Sequence, residues 1–154
     1  MTDEATAKCK KQIKYHEGFR LKAYRDTLEY WTIGYGHMLN KGDRPKIEMI
    51  TKAEADVLFE GDFVGALSDA TALIGEFDAL NAPRQAVVVN MAFNLGYDKL
   101  SGFKQTLAAI NAGEYDRAAD HMLASKWAKQ VGKRAIELSE QMRRGEWQGA
   151  LNGK

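Results

Sequence analysis

His16-Glu17-Gly18-Phe19, then Tyr24-Arg25-Asp26, then Trp31-Thr32-Ile33-Gly34-Tyr35-Gly36-His37 is the stretch on which the fold turns. Ahead of it, residues 3–16 read as a helix that stops before Gly18. Within it, from 19 to about 47, aromatic and β-branched residues are punctuated by glycine, which is hairpin or small-sheet chemistry. Asp26 falls near the start of that strand region and Thr32 in the next strand. Beyond it, Thr51 with Glu54 three residues later forms a capping box, so a helix is expected to run to about residue 73. Val57, Leu58, Val64 and Leu67 fall largely on one side of that helix. A helix of this length, joining a small β-containing segment to a helical remainder, implies two lobes with a groove between them.

Asn81 and Pro83 open the next helix, as cap and first-turn residue. Residues 86–93 are apolar nearly all round, which implies a buried central helix. The run Val87-Val88-Val89 would also suit a strand, and the capping signal favours helix. Shorter helices are expected near 104–111, 114–124 and 133–143, punctuated by Gly113, Gly132 and Gly145. The expected fold class is α+β, mainly α. One catalytic domain would span 1–154, with a β-containing lobe near 15–60 and a helical lobe from 1–14 and 61–154.

Composition removes several classes of protein. A chain of 154 residues, 45% hydrophobic and 28% charged, buries roughly two thirds of its unfolded surface in one core. With 2 prolines and no repeat or low-complexity tract, disordered and solenoid readings lose support. The single cysteine, Cys9, rules out an internal disulfide and points to folding in a reducing compartment. The start, Met1-Thr2-Asp3-Glu4, is acidic and has no apolar signal core behind it. No window approaches the ~20 apolar residues of a membrane span, so cytoplasmic accumulation without a membrane anchor is expected. Net charge is +1, with basic ends around an acidic middle. That pattern could suit an anionic polymer, but ordinary solvated helix faces explain it more simply, and charge does not decide function.

Glu17, Asp26 and Thr32 bring two carboxylates and a hydroxyl to the place where a helix meets a hairpin. Glycoside hydrolysis needs one protonated acid for the leaving oxygen and one ionised carboxylate on the other side of the sugar. A partly desolvated acid keeps its proton near neutral pH. A glutamate and an aspartate nine residues apart are, taken bare, more readily two surface charges. The ordered run Glu17, Asp26, Thr32 and Gly34-Tyr35-Gly36-His37, however, resembles the catalytic segment of the phage-type lysozymes of glycoside hydrolase family 24. Further matches follow in the family's order: 50–59, 90–96, Gly102-Phe103, 127–135 and 144–147. The resemblance covers nearly all of 13–147.

The resemblance implies an endolysin or muramidase that cuts the β-1,4 bond between N-acetylmuramic acid and N-acetylglucosamine in peptidoglycan. By the same resemblance Glu17 is the general acid, while Asp26 and Thr32 position the water of an inverting reaction. Arg134 matches the arginine that pairs with the acid. Its charge would favour ionised Glu17 and burial would favour the neutral form, and the sequence leaves that balance open. His37 and Asp62 match an ion pair reaching the interlobe helix. Met38, Phe93, Asn94 and Thr106 fall at groove positions, with a core role competing for Phe93. Trp127 and Trp147 read as core, while Tyr24, Tyr30, Trp31 and Tyr35 suit either sugar faces or the core.

One departure stands out: Glu29 replaces the glycine usual three residues after the aspartate. If that backbone needs a positive φ, the replacement costs roughly 1 kcal/mol. His16, His37, His121 and Cys9 lack metal-ligand spacing, so neither metal nor cofactor is expected. Gly34-Tyr35-Gly36 lacks the Lys-Ser/Thr of a phosphate loop, and nucleic acid is not an expected partner. Release through a holin, and a monomeric state, complete the expectation. Three rivals remain: a lytic transglycosylase, a non-catalytic wall-binding module on the same fold, and membrane disruption by the basic segment 126–144.

Overall fold

The computed structural model describes residues 1–26 and 29–149. Helix α1, Asp3–Glu17, is capped by the Thr2 hydroxyl, which accepts from the Ala5 N–H, and ends at Gly18. Three strands follow: β1, Arg20–Arg25, β2, Tyr30–Gly34, and β3, His37–Lys41. They form an antiparallel sheet in the order β1-β2-β3. Tyr24 lies opposite Thr32, and Thr32 lies opposite Met38. Asp26 directly follows the first strand. The outer edge of β1 is not left bare, since Ala23 N–H donates to Glu48 and Ile50 N–H donates to Leu21.

Helix α2, Lys52–Leu73, begins with the capping box expected of Thr51 and Glu54, both halves of which form. Its buried stripe, however, is Ala55, Phe59, Phe63, Ala66 and Ala70. Of the four apolar residues placed largely on one side, Val57 and Val64 are 72% and 65% exposed, while Leu58 and Leu67 are half-buried. Two apolar stripes compete on this helix, and the one carrying two phenylalanines removes more area from water. The first turns of α2 pack under β2, where Ala55 Cβ lies 3.4 Å from the position of a Cβ on Gly34.

A short 3₁₀ turn, Phe77–Ala79, leads to α3, Ala82–Leu95, capped by the Asn81 carboxamide oxygen on Arg84 N–H. The remaining helices are α4, Tyr97–Ser101, α5, Lys104–Asn111, α6, Tyr115–Ala124, α7, Lys126–Val131, and α8, Lys133–Arg144. The valine run lies in α3, where Ala86, Val87, Val88, Val89, Met91 and Ala92 are all buried. Around α3 pack α1, α2 and α8, so one hydrophobic core gathers Ile13, Phe59, Phe63, Leu138 and Met142. Cys9 belongs to this core. Burial pushes its thiol up to about 12, which keeps it an inert apolar group. Among the described residues, no helix is long and apolar enough to cross a membrane. The architecture is mainly α, with one small sheet fixed to the start of α2.

Candidate active site

Glu17 is the last residue of α1, where unpaired helix carbonyls disfavour an anion. Its side chain is 13% exposed, and Oε2 accepts from Arg134 Nη1 at 2.9 Å. Burial raises its carboxyl above the usual carboxylate range. The Arg134 guanidinium opposes that shift without cancelling it, and the charges of Asp62 and Asp26 add to it. The balance that the sequence left open thus falls to burial, which keeps a proton on Glu17 to higher pH.

The sheet closes over Glu17 at Gly36. A Cβ there would come within 2.7 Å of Glu17 Cδ, and the backbone φ is +71°. Glycine is required on both counts.

Asp26 and Thr32 meet at Tyr30. Asp26 Oδ1 accepts from Tyr30 N–H at 2.8 Å, and Asp26 N–H donates to the Tyr30 carbonyl at 2.9 Å. Thr32 Oγ1 donates to that same carbonyl at 3.1 Å. The threonine is only 5% exposed, and its proton is committed inward, so its lone pairs remain as acceptors. Glu29, in the turn between these groups, has a φ of 67°, the only positive value among the described non-glycine residues. The positive φ considered for this position is therefore present. Tyr24, opposite Thr32, feels the negative charge of both Glu17 and Asp26, and burial together with these charges raises its phenol. The phenol thus lies within electrostatic reach of both carboxylates.

The supporting positions divide. His37 Nδ1 lies 2.7 Å from Asp62 Oδ2, tying β3 to α2. That hydrogen bond raises the imidazole against the opposing effect of burial. Met38 is 58% exposed on β3. Phe93 is half-buried against Phe59, with ring centroids 5.3 Å apart, and so belongs largely to the core. Asn94 is engaged by Trp127, whose Nε1 donates to Asn94 Oδ1 at 2.7 Å. Thr106 is buried at the wall of a cavity of about 710 Å³ that also meets Lys104, His121, Lys126, Trp127 and Gln130. Tyr35 is packed between Phe19 and Phe59. Among the described residues, no cluster of histidine, cysteine or carboxylate side chains could hold a metal.

Asn90 was not picked out as a site residue by sequence reasoning. It is fully buried in α3 and accepts from Arg134 Nε at 3.0 Å and Nη2 at 2.7 Å. A polar residue inside an otherwise apolar helix was the available signal, because such a group requires partners.

A buried glutamic acid paired with an arginine, beside a small sheet that carries Thr32 and is followed after its first strand by Asp26, suits a lysozyme-type glycoside hydrolase. Residues 14–146 match the family model described as Phage lysozyme, and the chain belongs to that family of cell-wall lytic enzymes. It is 29% identical to "Probable T4-type lysozyme 1" of Dictyostelium discoideum, over 82% of this chain and 88% of that one. It is 32% identical to the "Pre-baseplate central spike protein Gp5" of Enterobacteria phage T4, over 82% of this chain and 26% of the spike protein. With the "Endolysin" of Bacillus phage B103 it shares 33% identity, over 79% of this chain and 44% of the endolysin.

Proposed function

We propose that this protein is a muramidase, a single catalytic domain hydrolysing the β-1,4 bond between N-acetylmuramic acid and N-acetylglucosamine of peptidoglycan, with Glu17 as general acid. The observation that carries this reading is the Glu17 carboxyl, held above its usual range by burial while still gripped by Arg134. Glu17 gives its proton to the glycosidic oxygen as the bond from that oxygen to the anomeric carbon breaks. Asp26 takes a proton from a water that attacks the same carbon from the opposite face, and Thr32 Oγ1 accepts a hydrogen bond from that water. The anomeric configuration inverts. Such a reaction requires the two carboxyls roughly 6.5–9.5 Å apart.

The lytic transglycosylase reading needs an acid but not the Asp26 and Thr32 pair. A bare wall-binding module has no use for a raised carboxyl. The expected biological setting is accumulation as a monomer in the host cytoplasm, release through a holin, and action on the wall at lysis.

Digestion of purified peptidoglycan by wild type and Glu17→Gln, followed by mass analysis of the products, tests the reading. Products carrying the mass of one added water, absent with Glu17→Gln, are expected. Anhydro products would replace hydrolysis by transglycosylation. Unchanged cleavage by Glu17→Gln would end the assignment of the acid.

A further inference from the structure

Behind Arg134 the polar chain continues inward. Asn90 has one side-chain oxygen, and Arg134 takes it with two N–H groups. Because arginine only donates, that oxygen must face Arg134, and the Asn90 NH₂ must face His16 Nδ1, 3.1 Å away. Nδ1 is then a bare acceptor, and the ring proton sits on Nε2. From there it is donated to Glu137 Oε2 at 2.8 Å. His16 and Glu137 are themselves almost buried, with side chains 4% and 9% exposed.

We propose that His16, the neighbour of Glu17 in sequence, is a positioning residue for the acid: its unprotonated Nδ1 holds Asn90 in the one orientation that clasps Arg134 against Glu17. The inference rests on the reading of Glu17 as the acid. Protonation of His16 would place an Nδ1–H against the Asn90 NH₂, leaving two cations to compete for one carboxamide oxygen. Asn90 must then either turn its oxygen to His16, presenting NH₂ to Arg134, or keep Arg134 and face one N–H with another. The clasp and the imidazolium cannot both be satisfied.

The groups facing His16 are Glu137, Arg134 and Lys133 from α8, Asn90 from α3, and on its own helix the Tyr15 ring, 5.4 Å away. Burial lowers the imidazole below its usual 6.5, the Glu137 hydrogen bond opposes this, and Arg134 and Lys133 add to the lowering. The switch therefore lies on the acid side of 6.5. Below it Arg134 loses its clasp, and Glu17 loses the cation that helps it release its proton.

The test follows ¹⁵N resonances of the intact protein from about pH 8 to about pH 4, a range that brackets ordinary histidine titration. Near neutrality His16 should show a bare Nδ1 and a protonated Nε2, and the Arg134 Nε–H signal should shift with the His16 midpoint. In parallel, kcat for soluble glycan fragments should fall roughly 10-fold or more across that midpoint, the scale of a misplaced catalytic group. That step should be missing from His16→Asn, whose Oδ1 offers an acceptor near the Nδ1 position and does not titrate. A proton on Nδ1, an Arg134 signal indifferent to His16, or the same kcat step in His16→Asn would overturn the proposal. Cleavage by Glu17→Gln would instead remove the acid reading. The NMR coupling tests the link from His16 to Arg134 by itself.

Discussion

Glu29 sits at a φ of 67° where an L-residue is strained, and its side chain is exposed. Placing a side chain in that region costs about 1–2 kcal/mol, while glycine adds about 0.5–1 kcal/mol of unfolded-state entropy. The first effect wins, so Glu29→Gly is expected to raise stability by about 0.5–1 kcal/mol in urea unfolding. An unaltered midpoint would show that the turn has relaxed by another route. Unchanged activity and pH–rate profile in the same variant would show that the exposed Glu29 carboxylate takes no part in the reaction. Gly36 carries the opposite lesson. Gly36→Ala adds a methyl group that meets the Glu17 carboxyl, on a backbone at φ +71°. A loss of about 1–2 kcal/mol is expected from the backbone alone. Displacement of Glu17 should lower kcat by about 10-fold or more with a smaller effect on KM. A folded Gly36→Ala of normal kcat would show that Glu17 need not stay where it is.

Capping residues made the starts of α2 and α3 readable from sequence: Thr51 and Asn81 each accept from the backbone where expected. Gly145 ends α8, the helix it was expected to end, and Gly132 stands just before that helix. Helices α4 and α7 escaped notice because five and six residues are too few for periodicity to register. The buried face of α2 escaped for a different reason. Its sequence carries two apolar stripes, and only tertiary packing chooses between them. That choice predicts unequal costs along one helix. Phe59→Ala should lose about 3–5 kcal/mol, as large buried side chains do. Val64→Ala, on the exposed face, should stay within about 0.5 kcal/mol. Similar losses at both positions in denaturant unfolding would contradict the packing of α2 against α3.

At the level of the whole molecule the site joins groups that no local pattern connects. Glu17 and Arg134 are 117 residues apart, and His16 and Glu137 are 121 apart. Family resemblance pointed to Glu17, Asp26, Thr32 and Arg134. It left unread the inner chain through Asn90, His16 and Glu137, because a long-range hydrogen bond leaves no spacing in sequence. The buried acid is also a cost carried by the fold. Its carboxyl is raised by burial more than Arg134 lowers it, so the ionised form is worse off in the protein than in the unfolded chain. A carboxyl raised on folding contributes stability below its unfolded pKa, near ~4.3, and loses it as pH rises through the folded value. Glu17→Gln does not titrate, so comparison with wild type isolates this group. Below about pH 3 the difference in unfolding free energy between the two proteins should be flat, because both side chains are then neutral. It should move in favour of Glu17→Gln as pH rises through the titration of Glu17, and level off once Glu17 is fully ionised. Urea midpoints measured for both proteins across this range decide the matter. A difference that instead moves in favour of wild type would mean that the Arg134 ion pair outweighs burial, and that the carboxyl is built to be ionised.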